Sequence, residues 1–150
     1  MKALFFAAAI LSLGVPAKAE VPPKLPVTKA EFYYTGEIFA HCSAHWDFMA
    51  SIARSTGKPA TAEAFDGQAR GWVAAGEILL VEGMEESRQV EAESVFGAMI
   101  ETHLAHLKAV KEVHEGDWSD DIMSEFKKTC VPWLPYQKAI VAGMRGISTE

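Results

Sequence analysis

Apolar residues recur at steps of three and four along most of this chain, which is the period of an amphipathic α-helix. The pattern runs from about residue 28 to residue 143, and no alternating run of β-branched residues competes with it. The chain is therefore predicted to be all-α. Prolines and glycines divide the periodic region into four helical segments.

Helix 1 has the best-specified start. Thr28 and Glu31 have the spacing of a capping box, in which the threonine caps the helix and the glutamate reaches back to the cap. Gly57 and Pro59 are typical of a helix end followed by a new helix start, so helix 1 is predicted to end near Ser55.

Helices 2 and 3 are predicted over residues 59–82 and 86–114. A turn near Gly83 is predicted to separate them, although the apolar phase nearly continues through it. Helix 3 is predicted to carry Val90, Phe96 and Leu107 on one face.

Helix 4 is predicted to open at Ser119, after Gly116 as the cap of helix 3. Pro132 and Pro135 break it, and a short terminal helix follows over residues 135–143.

Short turns between four helices favour antiparallel neighbours, so we expect an up-down-up-down four-helix bundle with helices 1 and 4 side by side. Residues 28–150 are predicted to form this single domain. Residues 20–27 contain three prolines and are predicted to form an extended arm that leads into it.

The first 19 residues have the pattern of a secretory signal peptide. A lysine follows the first methionine, residues 3–11 are apolar, and Ala17, Lys18 and Ala19 form a small-x-small cleavage site. The apolar run is shorter than the roughly 20 residues of a spanning helix. We expect a soluble protein that is exported to the periplasm or secreted, with cleavage after Ala19 and no membrane span.

Removing residues 1–19 takes away Lys2 and Lys18 but no acid, so the 14 basic residues fall to 12 against 20 acidic ones, a formal charge of −8. This balance argues against nucleic acid and anionic membranes as partners, since both attract basic surfaces. Another envelope protein or a small ligand is a more suitable partner for an acidic chain. The oligomeric state stays open.

Cys42 and Cys130 are the two cysteines of the chain. An even count in an exported protein predicts a disulfide. Cys42 lies near the middle of helix 1 and Cys130 late in helix 4, so the bond is expected to clamp these helices. The chain lacks the Cys-x-x-Cys spacing of redox proteins, which favours a structural role.

Four of the five histidines form two pairs: His41 and His45, and His103 and His106. Spacings of four and three residues place both rings of a pair on one helical face, as in sites for Zn, Cu or Fe. Helices 1 and 3 run parallel in the expected bundle, so the two pairs can meet in its interior.

Haem held by one histidine and Met49 or Met99 is a variant of this hypothesis. The competing interpretation makes the histidines ordinary core residues and expects no cofactor. It is favoured by the lack of a Glu-x-x-His pattern and of an acidic residue at the spacing of the pairs.

The sequence lacks a glycine-rich phosphate loop, a Gly-x-Ser-x-Gly elbow and a His-Glu-x-x-His motif. An enzyme is therefore less favoured than a binding protein, although the question stays open. The first hypothesis is a binding or interaction protein, and the alternative is a metal-binding or haem-binding bundle.

Cys42, the Gly57-Lys58-Pro59 turn, the alanine-rich second helix with Phe65, and Cys130 resemble those of small exported bacterial α-helical proteins with two cysteines. The resemblance covers most of the chain after residue 19. It implies an exported helical fold, but the functions of these proteins are unassigned, so it implies no activity.

Overall fold

The structure is a computed structural model that describes residues 23–113 and 118–146. Over these residues it is helical and has no strand, so the all-α prediction is confirmed. Two 3₁₀ segments, Glu86–Glu91 and Val131–Trp133, precede α3 and α5. The α-helices are α1 Lys29–Ser55, α2 Pro59–Gly83, α3 Ala92–Val113, α4 Trp118–Thr129 and α5 Leu134–Met144.

The predicted start of α1 is confirmed. Thr28 Oγ1 accepts a hydrogen bond from the backbone N–H of Glu31 at 3.2 Å, and Glu31 Oε2 accepts one from the N–H of Thr28 at 3.0 Å. Lys24 and the N–H groups of Val27 and Thr28 lower the pKa of the Glu31 carboxyl to about 2. Residues 23–27 of the expected arm are non-helical, and residues 20–22 lie outside the described part of the chain.

The chain does separate α2 from α3, but residues 86–91 form a 3₁₀ helix instead of the first turns of α3. Met84 and Glu85 are extended, which ends the α-helical hydrogen bonding. The prediction that Val90 belongs to the buried face of helix 3 is therefore wrong, and its side chain is 91% exposed.

The last helices differ from the prediction by small shifts. Ser119 lies inside α4, which begins one residue earlier, so it is not the first capping residue. Cys130 immediately follows α4 instead of belonging to it. Pro132 lies in the 3₁₀ segment between α4 and α5, so the predicted interruption of the helix at this proline is confirmed. Gly116 lies outside the described residues, as do residue 114 at the predicted end of helix 3 and the predicted signal peptide.

The core is centred on α1, which packs most extensively against α2 and then against α3. Phe39 of α1 meets the Trp72 ring of α2 edge to face, with centroids 4.8 Å apart, and Phe96 of α3 is fully buried nearby. Direct contacts between α1 and α4 are few. The up-down-up-down order and the side-by-side pairing of helices 1 and 4 stay predictions, as does the single domain over residues 28–150.

The predicted disulfide between Cys42 and Cys130 is present. Both residues are fully buried, and their Cα atoms are 5.6 Å apart. The bond therefore connects the middle of α1 with the end of α4. No helix within residues 23–113 and 118–146 is both long and apolar enough to cross a membrane.

Candidate metal centre

Two helices bring three of the predicted histidines together in what we call the histidine cluster, namely His41, His45 and His103. The His41 Nδ1 atom lies 3.2 Å from the Nδ1 atom of His103. The ring centroids of His41 and His45 are 4.4 Å apart. His41 and His45 are buried, and His103 is half-buried.

The local sequence explains this placement. His41 and His45 are one turn apart on α1, so their side chains project from the same face. That face is turned toward the apolar interior, where the His45 ring lies 5.7 Å from the Phe126 ring of α4. His103 is four residues before Leu107, a fully buried residue of α3, and so lies at the edge of the buried stripe of that helix.

His45 has a well-defined protonation pattern. Its Nδ1 lies 3.1 Å from the backbone carbonyl of His41, and a carbonyl only accepts, so Nδ1 donates. In the neutral ring the lone pair is then on Nε2. This buried atom has no hydrogen-bond partner among the described residues. The Ile122 carbonyl favours the charged form of His45, yet it makes no hydrogen bond of normal geometry with Nε2.

His41 lies between His103 and an acidic residue of α4. Its Nε2 is 3.5 Å from Glu125 Oε1, beyond good hydrogen-bond geometry, and this buried nitrogen has no hydrogen-bond partner in the described part of the chain. A lone pair facing a carboxylate is repelled, so we assign the metal-free ring a proton on Nε2. His103 then donates from its Nδ1 to the Nδ1 of His41.

Burial keeps the cluster uncharged at neutral pH. Desolvation, followed by the repulsion of His45, His103 and His106, lowers the pKa of His41 to about 4. Burial is also the main cause that lowers the pKa of His45 and of His103. Metal ions bind the neutral form of imidazole, so protons do not compete strongly for these nitrogens at pH 7.

His106 does not belong to the cluster. It is exposed on α3, although it lies close enough to lower the pKa of His41 by repulsion. The two methionines considered as haem ligands, Met49 and Met99, are partly buried against apolar core residues.

The sequence analysis missed two acidic residues near the cluster. Glu37 and Glu125 are both close enough to His103 to raise its pKa against the effect of burial. Glu37 lies four residues before His41, so the statement that no acidic residue shares the spacing of the pairs is wrong. Glu125 carries no such signal, because its position depends on how α4 packs.

A sulfur atom also borders the cluster. One nitrogen of His41, one nitrogen of His45 and the Sγ atom of Cys130 all lie within 4.8 Å of one another, and all three residues are buried. The sulfur is bonded to Cys42 and therefore carries no negative charge. In this oxidised form it is not a thiolate ligand.

Imidazole nitrogens with a nearby carboxylate are donors suited to Zn²⁺ and Cu²⁺. Bonds of about 2.0 to 2.1 Å place the ligand atoms of a tetrahedral zinc ion about 3.3 Å apart. The 3.5 Å between His41 Nε2 and Glu125 Oε1 is close to that value. A single ion binds only one nitrogen of His41. Because the Nε2 atoms of His41 and His45 both lack hydrogen-bond partners among the described residues, Nε2 is the nitrogen of His41 that is favoured as a ligand.

Comparisons with known proteins give no match to this chain. No family model matches it, and neither does a curated protein or a solved structure. Functional interpretation therefore rests on the geometry of the histidine cluster and its neighbours.

Proposed function

We propose that this protein binds a transition-metal ion, Zn²⁺ or Cu²⁺, through the Nε2 atoms of His41 and His45 and the carboxylate of Glu125. The observation that supports this proposal is that the buried Nε2 atoms of two neighbouring histidines, whose ring centroids are 4.4 Å apart, both lack hydrogen-bond partners among the described residues. Buried polar atoms are rarely left unpaired, and a bound cation satisfies a nitrogen lone pair.

The remaining nitrogens suit this ligand set. When a metal takes Nε2 of His41, that ring carries its proton on Nδ1 and His103 carries its own proton on Nε2, so His41 Nδ1 donates to the lone pair of His103 Nδ1 at the observed 3.2 Å. Nδ1 of His45 already donates to a backbone carbonyl. Hydrogen bonds from the second nitrogen are the usual means by which proteins orient metal-binding histidines. His103 is therefore a positioning residue rather than a ligand in this proposal.

The ligands come from α1 and α4, so a bound ion also ties these two helices together, while His103 of α3 only contacts His41. Two imidazoles and one carboxylate leave a fourth position for water or another ligand. We propose a metal-binding protein on this basis and assign it no reaction. Haem is not favoured, because the methionines considered for it pack in the apolar core.

Export to the periplasm and an up-down-up-down bundle complete the proposal. The disulfide supports export, since disulfides persist in oxidising compartments. The sequence alone favours binding to an envelope protein or a small ligand. The histidine cluster is the more specific observation, and it makes a metal ion the ligand we propose.

Calorimetric titration of the oxidised, chelator-stripped protein with Zn²⁺ and with Cu²⁺ tests the proposal. We expect one ion per chain to bind to the wild type and to His106→Ala, the matched control from the same set of histidines. His41→Ala and His45→Ala are expected to lose at least tenfold in affinity while keeping their helical circular dichroism. Equal affinity of all four proteins, or no binding by the wild type, would contradict the proposal.

A further inference from the structure

The disulfide has one sulfur beside the proposed metal site. Cys130 Sγ forms a compact buried group with nitrogens of His41 and His45. A bond that only clamps α1 to the end of α4 does not need a sulfur next to two imidazoles with unpaired nitrogens. Cys130 is therefore placed where a change in its oxidation state reaches the proposed ligands.

We propose that reduction of the Cys42–Cys130 bond converts the site into a tighter, thiolate-containing one in which Cys130 joins His41 and His45. This inference rests on the proposed function and adds its regulation. A dithiol reductant supplies two electrons and two protons: the S–S bond breaks, two thiols form, and the reductant becomes a disulfide. The Cys130 thiol then releases its proton to solvent as the metal–sulfur bond forms.

The chemistry of the ligands supports the direction of the change. A thiolate is negatively charged and soft, and soft ligands select Zn²⁺ and Cu⁺, whereas a disulfide sulfur is neutral. Reduction thus adds a charged ligand to a site that otherwise has two neutral imidazoles and one partly exposed carboxylate. Affinity is expected to rise.

The geometry of the three atoms also supports a metal site that includes Cys130 after reduction. Zinc–nitrogen bonds of about 2.0 Å and zinc–sulfur bonds of about 2.3 Å need ligand atoms roughly 3.3 to 3.6 Å apart. The three atoms are within 4.8 Å of one another, so they have to approach by at most about 1.5 Å. Breaking the bond to Cys42 frees the Cys130 side chain for this movement, which the disulfide restricts.

Co²⁺ is a suitable probe, because its bond to a thiolate gives a charge-transfer absorption in the near ultraviolet. The samples are the oxidised wild type, the phosphine-reduced wild type, Cys42→Ala and the matched control Cys130→Ala. We expect the band in the reduced wild type and in Cys42→Ala only, with at least tenfold tighter binding than in the oxidised wild type. Circular dichroism reports whether each sample is folded.

Alkylation of the reduced wild type gives a test that needs no variant. Bound Zn²⁺ is expected to protect Cys130 from iodoacetamide at least tenfold more than Cys42, as mapped by mass spectrometry. Equal protection, the same cobalt spectrum in both alanine variants, or a reduced protein that unfolds and binds no cobalt would overturn the inference. Metal binding by the oxidised wild type in those cases leaves the proposed function standing, whereas its absence overturns that function itself.

Discussion

His45 is oriented by its own helix. Its Nδ1 atom donates to the carbonyl of His41, one turn earlier, which leaves Nε2 as the nitrogen able to bind a cation. His41 has no such backbone bond and is oriented instead by His103. The two adjacent rings therefore depend on different partners, and His103 is the one that a mutation can remove.

His103→Phe removes the nitrogen that contacts His41 and keeps a ring in its place. We expect Zn²⁺ affinity to fall by roughly 10- to 100-fold, the range found when a hydrogen bond to a metal-binding histidine is lost. A competition titration with a chromogenic chelator measures the change. His106→Phe is the matched control on the same helix, and an equal effect of both variants would show that His103 does not position His41.

The stability of the metal-free protein is expected to depend on pH through His41. Its pKa is lowered from 6.5 to about 4 by burial, so between these values the unfolded chain binds a proton that the folded chain does not. The free energy of unfolding should therefore decrease as the pH falls from 6.5 toward 4. His45 and His103 act in the same direction, since burial lowers their pKa values too.

Urea denaturation at pH 7.5, 6.5, 5.5 and 5.0 measures this dependence while most carboxyl groups are still ionised. The decrease should be smaller in His41→Gln, which has no titrating group at that position. A free energy that stays constant between pH 7.5 and 5.0 in the wild type would mean that burial does not disfavour the charged rings.

At the level of elements, α2 approaches its neighbours closely at two glycines. A Cβ atom on Gly76 would overlap the ring of Phe96 from α3, and one on Gly83 would overlap the backbone of Tyr33 from α1. The sequence analysis did not single out Gly83 as a packing residue. Its small size lets the end of α2 lie against the first turns of α1.

Gly76→Ala is expected to destabilise the protein by about 1 to 3 kcal/mol, because the new methyl group has to displace Phe96 in a filled core. Gly97→Ala is the matched control: it lies within α3, and an added Cβ meets nothing within 4 Å. There the change should stabilise the helix by up to about 1 kcal/mol. Urea denaturation of both variants measures whether their unfolding free energies change in opposite directions. Equal changes would contradict the close approach of Phe96 to Gly76.

Local signals allowed the correct parts of the fold to be predicted. The start of α1 depends on Thr28 and Glu31, which are only three residues apart, so the capping box can be recognised in the sequence. Val90 was assigned to the buried face because its apolar phase fits an α-helix. The extended backbone at Met84 and Glu85, which interrupts that helix, leaves no clear sequence pattern.

As with the fold, only the part of the candidate site that depends on helical spacing could be predicted from the sequence. Helical spacing identified His41 and His45, and the parallel course expected for helices 1 and 3 suggested His103. His106 faces outward because the buried stripe of α3, which contains Phe96 and Leu107, is narrow. The positions of Glu125 in α4 and of Cys130 just after it depend on how α4 packs against α1, and no spacing in the sequence encodes that packing.

For the whole molecule, α1 is the central helix, because α2, α3 and α4 all contact it. It packs against α2 and α3, and the disulfide attaches the end of α4 to its middle. With a sequence separation of 88 between the cysteines, the loop-entropy model gives about 4 to 5 kcal/mol of stabilisation. The proposed ion would join α1 and α4 close to the same place, so the covalent link and the metal reinforce one interface.

Metal content is the most direct test of the central claim. The oxidised protein, purified without an affinity tag, is dialysed against Zn²⁺ or Cu²⁺ and then against metal-free buffer before elemental analysis. We predict close to one retained ion per chain in the wild type and close to none in the His41→Ala/His45→Ala double variant. A folded wild-type protein that retains no metal, or a double variant that retains as much, would contradict the account.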